Sequence, residues 1–384
     1  MKRRSTVAAV QGARSEPIVE HAGSRTDGAR ASAGDAVRAA AGDAAASDPA
    51  ASGAAETGPR ARRAFWRSPF FPIWPATAVL FLVSPLLASG SLDHSALLGM
   101  LPFAAILAIA AAGQTLVVQQ RGLDLAVPGV FSLAAVLVAK AGDGDNGKLP
   151  IALLLVAAMC VVAGLVSGLV ITRLGITPLI ATLGVNALLT GALLQYSGGA
   201  APQASPPELT RLAGGKVLGI PNTVLVAIVV IAAATFVVRR TTLGRRFVAT
   251  GASPRAAFAA GIHVRRQETL TYVVAALLYG AAGVLLAGFL QTPGLQPGES
   301  YLLPSIAAVV LGGTSLAGGN GSVAATAVGA LFLTQLGQVV LGMGAATSVQ
   351  FLIQGAIVAL GMGLRNVPWA RLRPVNSKNS RRRV

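Results

Sequence analysis

The stretch from Leu149 to Thr172 reads LPIALLLVAAMCVVAGLVSGLVIT, twenty-four residues without a charge. A helix rises 1.5 Å per residue, so about 20 apolar residues cross the roughly 30 Å hydrocarbon core of a bilayer. This run is long enough to span. Working outward from it, apolar runs between polar breaks give ten candidate spans: Ile73–Ser89, Ala96–Val118, Leu125–Ala141, Leu149–Thr172, Pro178–Ser197, Pro221–Val238, Thr269–Leu290, Tyr301–Leu316, Val323–Leu341 and Val349–Leu364. The third, eighth and tenth are short, as re-entrant or tilted segments covered by neighbours would be. The expected fold is all-α, a polytopic membrane protein of about ten (8–10) transmembrane helices.

Composition agrees. Of 384 residues, 53 % are hydrophobic and 12 % charged, where a soluble domain carries roughly 25 % charged residues. A soluble enzyme of common type, a collagen and a disulfide scaffold are excluded. The lone Cys160 allows no internal disulfide, and His21, His94 and His263 lie far apart, so no metal site is expected.

Three regions follow. Residues 1–64 are rich in Ala, Gly, Ser, Asp and Arg and read as a disordered cytoplasmic tail. Residues 65–364 form the transmembrane domain, with a cytoplasmic loop at 239–268. Residues 365–384 form a basic cytoplasmic tail. With the N-terminus inside, twenty Lys and Arg residues from Arg60 onward fall on inward segments, seven of them in the 239–268 loop. Only Lys140, Lys148, Arg211 and Lys216 fall outside. This is a strong positive-inside bias. The net charge of +17 is thus an orientation and headgroup signal, not a nucleic-acid footprint.

Small residues at Gly164/Gly168 and Ala276/Gly280, with Gly184 and Gly329, read as close helix packing. No catalytic constellation is visible. The seven acids of residues 65–364 are not clearly placed at mid-depth in a span, which weakens an ion-coupled carrier. The run Gly312-Gly313-Thr314-Ser315-Leu316-Ala317-Gly318-Gly319-Asn320-Gly321-Ser322 lacks a P-loop core, so no nucleotide site of its own is expected. It reads as a tight turn. Thr182, Asn186 and Thr190 share one face of the fifth span, and Gln335 and Gln338 one face of the ninth. Such uncharged groups would suit a neutral polyhydroxylated solute, or hydrogen bonds between helices.

In the inward loop, Ser253 is placed to cap a helix with Pro254 at its first position, and Gly261 to end it. Two turns are unstable alone. A short Ala-rich helix carrying Phe258 makes sense docked on a partner or on the membrane surface.

Four segments, in order, resemble the ribose/galactose-type (sugar branch) permeases of ABC importers, the inner-membrane components of binding-protein-dependent transport systems. Gly244 through Gly251, Ala256-Ala257 and Gly261-Ile262 resemble the coupling loop. Gly122-Leu123-Asp124-Leu125-Ala126-Val127, Ile180-Ala181-Thr182-Leu183-Gly184 and the run from Ile306 to Ser322 resemble three further family elements. The similarity covers roughly 97–364. Departures are Ser253 where the family often has Asn, Ala126 for Ser with Pro128 after it, Ala325 for Gly, and the long N-terminal tail.

The resemblance implies a permease subunit that moves a monosaccharide by alternating access across a bacterial inner membrane, with both termini cytoplasmic. It implies cytoplasmic ABC ATPase subunits that bind ATP and Mg, a periplasmic or lipid-anchored binding protein and a second permease copy. This chain would hold no cofactor and catalyse nothing. Gly251, Ser253, Ala256, Ala257, Phe258 and Gly261 would form the ATPase-coupling loop. Thr182, Asn186, Thr190, Gln335 and Gln338 are candidates for the pathway. Asp124, Gly312, Gly313, Gly318 and Gly319 are candidates for a gating or structural motif. Alternatives are a permease for a nucleoside or a quorum-signalling sugar derivative, a partnerless secondary carrier, or a membrane scaffold.

Overall fold

In the computed structural model, residues 69–202 and 204–366 are described. The expected tails at 1–64 and beyond 366 lie outside them. The ten apolar runs are all helical: α1 Ile73–Leu87, α2 His94–Gln119, α3 Val127–Gly142, α4 Leu149–Leu174, α5 Pro178–Ser197, α7 Asn222–Arg240, α10 Val264–Leu290, α11 Glu299–Leu311, α12 Val323–Gly342 and α13 Thr347–Asn366. Three short helices, α6 Pro207–Gly214, α8 Thr242–Ala252 and α9 Pro254–Ala259, sit in connections. A two-stranded antiparallel hairpin, β1 Lys216–Val217 with β2 Ile220–Pro221, precedes α7.

Among the described residues, α2, α5, α7, α10, α12 and α4 with its preceding turn are long and apolar enough to cross a membrane; α1, α3 and α11 are apolar but shorter. The third and eighth runs are short as expected. The tenth, α13, is not: it has 20 residues.

Helices α2, α10 and α12 form the centre. Their contact faces are built from small residues, because van der Waals approach replaces the hydrophobic drive that lipid removes. A Cβ on Gly164 of α4 would stand 2.5 Å from Val273 Cα of α10, and one on Gly168 2.8 Å from Thr269 Cα. Gly329 of α12 rests on the Ala308 carbonyl of α11. Gly184 differs from the expectation: its face is open, with nothing within 4 Å. Polar side chains add ties across the centre. Thr115 donates to Thr326 Oγ1 at 2.9 Å, Tyr279 to Gln114 Oε1 at 3.0 Å, and Gln335 Nε2 to Ser84 at 2.9 Å. The outer helices carry exposed Leu183, Leu188, Ile228, Val229 and Phe236, apolar groups suited to lipid.

Connections mark two ends of the bundle. At one end α8 and α9 lie among Arg239, Arg240, Arg245, Arg246, Arg255, Arg265 and Arg266. At the other, Gly142 packs on Pro206, and Ser205 donates to the Ala287 carbonyl at 3.0 Å.

The α4–α10 seam is closely packed at Gly164 and Gly168. Gly164→Ala should lower the melting temperature of the purified chain, through an overpacking cost of about 1–3 kcal/mol. Gly184→Ala should not. Equal melting of the two variants in thermal-shift measurements would contradict this packing.

Candidate functional site

Two spans are broken. Between α2 and α3 the chain from Gly122 to Ala126 has no regular structure. Between α10 and α11 the same holds for much of 291–298, where Pro293, Gly294, Pro297 and Gly298 oppose a helix. Gly298 N–H donates to Ser132 Oγ at 2.9 Å, and the Phe131 ring stacks on Tyr301 with centroids 4.5 Å apart. Gly283 of α10 packs on the Phe131 carbonyl. Gly283 lies seven residues, about 10 Å, before the end of α10. The first turns of α3 and α11 therefore meet inside the bundle, and the two helices run from there to opposite ends.

Irregular backbone inside a membrane must find partners within the protein. Here it does. Asp124 Oδ1 accepts from Ala126 N–H at 2.9 Å. Thr182 Oγ1 accepts from Leu125 N–H at 2.9 Å and donates to the Pro178 carbonyl at 2.8 Å. Asn186 Oδ1 accepts from Gly129 N–H at 2.7 Å. The polar stripe of α5 thus holds the start of α3 in place, with Pro128 in its first turn.

Beside this junction is a cavity of about 290 Å³, lined by Pro128 and Ser132 of α3, Asn186, Thr190 and Leu193 of α5, and Gln296, Glu299 and Leu302 of the second break and α11. Small-molecule sites occupy roughly 300–1,000 Å³. A larger cavity of about 460 Å³ lies on the other side of α11, against α2, α12 and α13, with mostly apolar walls and Gln338, Gln350 and Gln354. Gln338 Nε2 already donates to the Ser91 carbonyl at 3.0 Å.

The five candidate pathway residues are therefore not one cluster. Asn186 and Thr190 line the smaller cavity and Gln338 the larger. Thr182 and Gln335 are fully buried and bonded to their neighbours. Glu299, Gln296 and Ser132 were absent from the expected pathway. The Pro-Gly pairs just before Glu299 were the available signal.

At the α8–α9 end, Ser253 ends α8 and caps α9, its Oγ accepting from Ala256 N–H at 3.3 Å. Phe258 is 76 % exposed. Gly261, at φ +78°, closes the turn. Ala257 departs from the expected docking face: it is buried at 3 %, turned toward its own chain. The outward face carries Arg255, Ala256, Phe258 and Ala259.

Three segments converge beneath α9. Arg121, itself in left-handed conformation at φ +67°, donates from Nε to the Gly251 carbonyl at 2.9 Å and from Nη2 to the Ala252 carbonyl. A cation there suits the negative end of α8. Gln120 Nε2 donates to the Phe247 carbonyl at 2.8 Å. From the glycine run, Gly319 N–H donates to the Gln119 carbonyl at 2.9 Å. Gly318, at φ +86°, abuts the Arg121 side chain and the Gly251 carbonyl, so a side chain would be both strained and obstructed. Gly312 lies on the backbone of Thr326, and Gly313 on that of Pro69. Arg121 thus grips α8 and forms no ion pair with Asp124.

The sequence profile of the family described as "Branched-chain amino acid transport system / permease component" matches residues 96–361. The ribose import permease protein RbsC of Escherichia coli (strain K12) is 31 % identical over 296 residues, covering 76 % of this chain and 92 % of the relative. RbsC of Bacillus subtilis (strain 168) is 31 % identical over 287 residues, 74 % of this chain and 88 % of the relative. The autoinducer 2 import system permease protein LsrC of Enterobacter sp. (strain 638) is 33 % identical over 237 residues, 62 % of this chain and 68 % of the relative. No solved structure matches. With a matched region that takes in the broken spans, the α8–α9 connection and the glycine run, this chain belongs to the branched-chain amino acid transport system / permease component family and is a multi-pass helical transport permease.

Proposed function

We propose that the chain is the permease subunit of an ABC importer for a monosaccharide or similar neutral polyol. The observation that carries this is a polar cavity of solute size at a break in two spans, joined through the bundle to an exposed short helix on its basic end. The ribose import relatives support a sugar. The LsrC relatives favour a second solute, one like autoinducer 2. The basic α8–α9 end, by charge asymmetry, faces the cytoplasm of a bacterial cell with both termini on that side.

In this scheme α9 docks on a cytoplasmic ATPase subunit that binds ATP and Mg. A binding protein delivers solute at the hairpin end, and a second permease copy completes the pathway. Closure of the ATPases moves α9. Ser253 belongs to both α8 and α9, so α8 follows. Arg121 and the glycine run are fixed to the end of α8, and they lead into the two broken spans that frame the cavity. Asp124 and Gly312, Gly313, Gly318 and Gly319 act in this linkage. Alternating access follows from tilting α3 against α11.

Proteoliposomes holding the chain, its ATPase and its binding protein should take up D-ribose or another sugar of a broad panel only with ATP inside the cytoplasmic compartment. Uptake that ignores ATP would indicate a secondary carrier. No uptake of any panel member would defeat the sugar assignment.

Phe258→Glu puts a charge on the outward face of α9, where an exposed aromatic would anchor the ATPase at a cost of about 2 kcal/mol or more when lost. Pull-down of the ATPase should fall at least tenfold, with membrane insertion unchanged. Undiminished capture would remove α9 from the interface.

A further inference from the structure

We propose that the cavity between α3, α5 and α11 is a solute site inside the membrane, and that Glu299 makes it selective for uncharged polyhydroxy solutes over anionic ones. This deepens the permease assignment and rests on it. Glu299 is the one formally charged residue among the cavity's lining groups, and no Lys or Arg lines it. It opens α11, and its side chain is exposed rather than packed.

Two helix starts at this junction would ordinarily favour an anion. Here several of the N–H groups at and just before these starts are already engaged: Leu125 by Thr182, Ala126 by Asp124, Gly129 by Asn186, and Gly298 by Ser132. Those engaged groups are not available to an anion that would offset the carboxylate. An ionised carboxylate only accepts hydrogen bonds, and two adjacent hydroxyls of a sugar can both donate to it. With its Oδ1 occupied by Gly129, Asn186 contributes its amide N–H groups; Gln296 supplies both donor and acceptor. Leu193, Leu302 and Pro128 give apolar walls for the C–H surface of a ring. A phosphorylated or acidic sugar would bring a second negative charge next to Glu299, and the two charges would repel.

The test needs no knowledge of the natural solute. Cys160, the single cysteine, is buried, and Cys160→Ala clears the background. Thr190→Cys then places a thiol in the cavity of the full chain in nanodiscs, which expose both faces. Its modification by a cationic trimethylammonium methanethiosulfonate and by the anionic sulfonate reagent is timed, each normalised to its rate with 2-mercaptoethanol. The cation should be favoured at least tenfold. Glu299→Gln should abolish that preference and Glu299→Asp should retain it. Leu188→Cys, on the exposed apolar face of α5, should stay unmodified. Modification without a charge preference, or with one that survives Glu299→Gln, would overturn the role of Glu299. No modification by either reagent would overturn the cavity as a water-reachable site. Failure of the permease assignment itself would show separately, as loss of ATP-dependent uptake by the unsubstituted chain.

Discussion

A peptide group that leaves a helix inside a membrane has no water to turn to, and leaving it unpaired costs several kcal/mol. That constraint governs the residues around 122–129 and 298. The breaks before α3 and α11 exist only because Thr182, Asn186, Asp124 and Ser132 accept the freed N–H groups. The same breaks create the cavity, since two continuous helices would fill the space between α3, α5 and α11. Polar residues in this bundle therefore do two jobs that look alike in sequence. Thr182 satisfies backbone, Thr190 faces the opening, and Asn186 and Ser132 do both.

The second constraint is mechanical. Under the proposed function, an event at the bundle's basic end must reach the cavity. The knot of Arg121, Gln119, Gly251, Gly318 and Gly319 is made of backbone contacts and hydrogen bonds, so it has little freedom to yield. The buried Gln119 side chain has both amide atoms unpaired there.

Much of this was legible in the residues. Ten apolar runs gave ten helices because an apolar segment in lipid must bond its own backbone, though among the described residues only six are long and apolar enough to cross. The capping of α9 by Ser253 and its end at Gly261 followed from local rules. Where the sequence misled, the cause was long-range. Ala257 and Phe258 are neighbours in a short Ala-rich helix, and only its packing against the rest of the chain decides which one turns inward. Gly184 has the type and setting of a packing glycine, but no helix comes to meet it. Glu299 was one of seven acids not clearly placed at mid-depth in a span. Its place beside α5 depends on the chain folding back before α11, and no periodicity encodes that return. Arg121 finds its partners 130 and 131 residues away.

The central claim is that the polar stripe of α5 divides between holding the break and facing the solute. The direct measurement compares Thr182→Val with Thr190→Leu, scoring melting temperature and ATP-driven uptake per folded transporter for each. Thr182→Val strips the Leu125 N–H of its buried partner, a loss of about 1–3 kcal/mol. It should melt lower while the surviving folded protein transports normally. Thr190→Leu should melt as the unsubstituted chain does and lose at least tenfold in uptake. The reverse pattern, or equal effects of both substitutions on both readouts, would contradict the account.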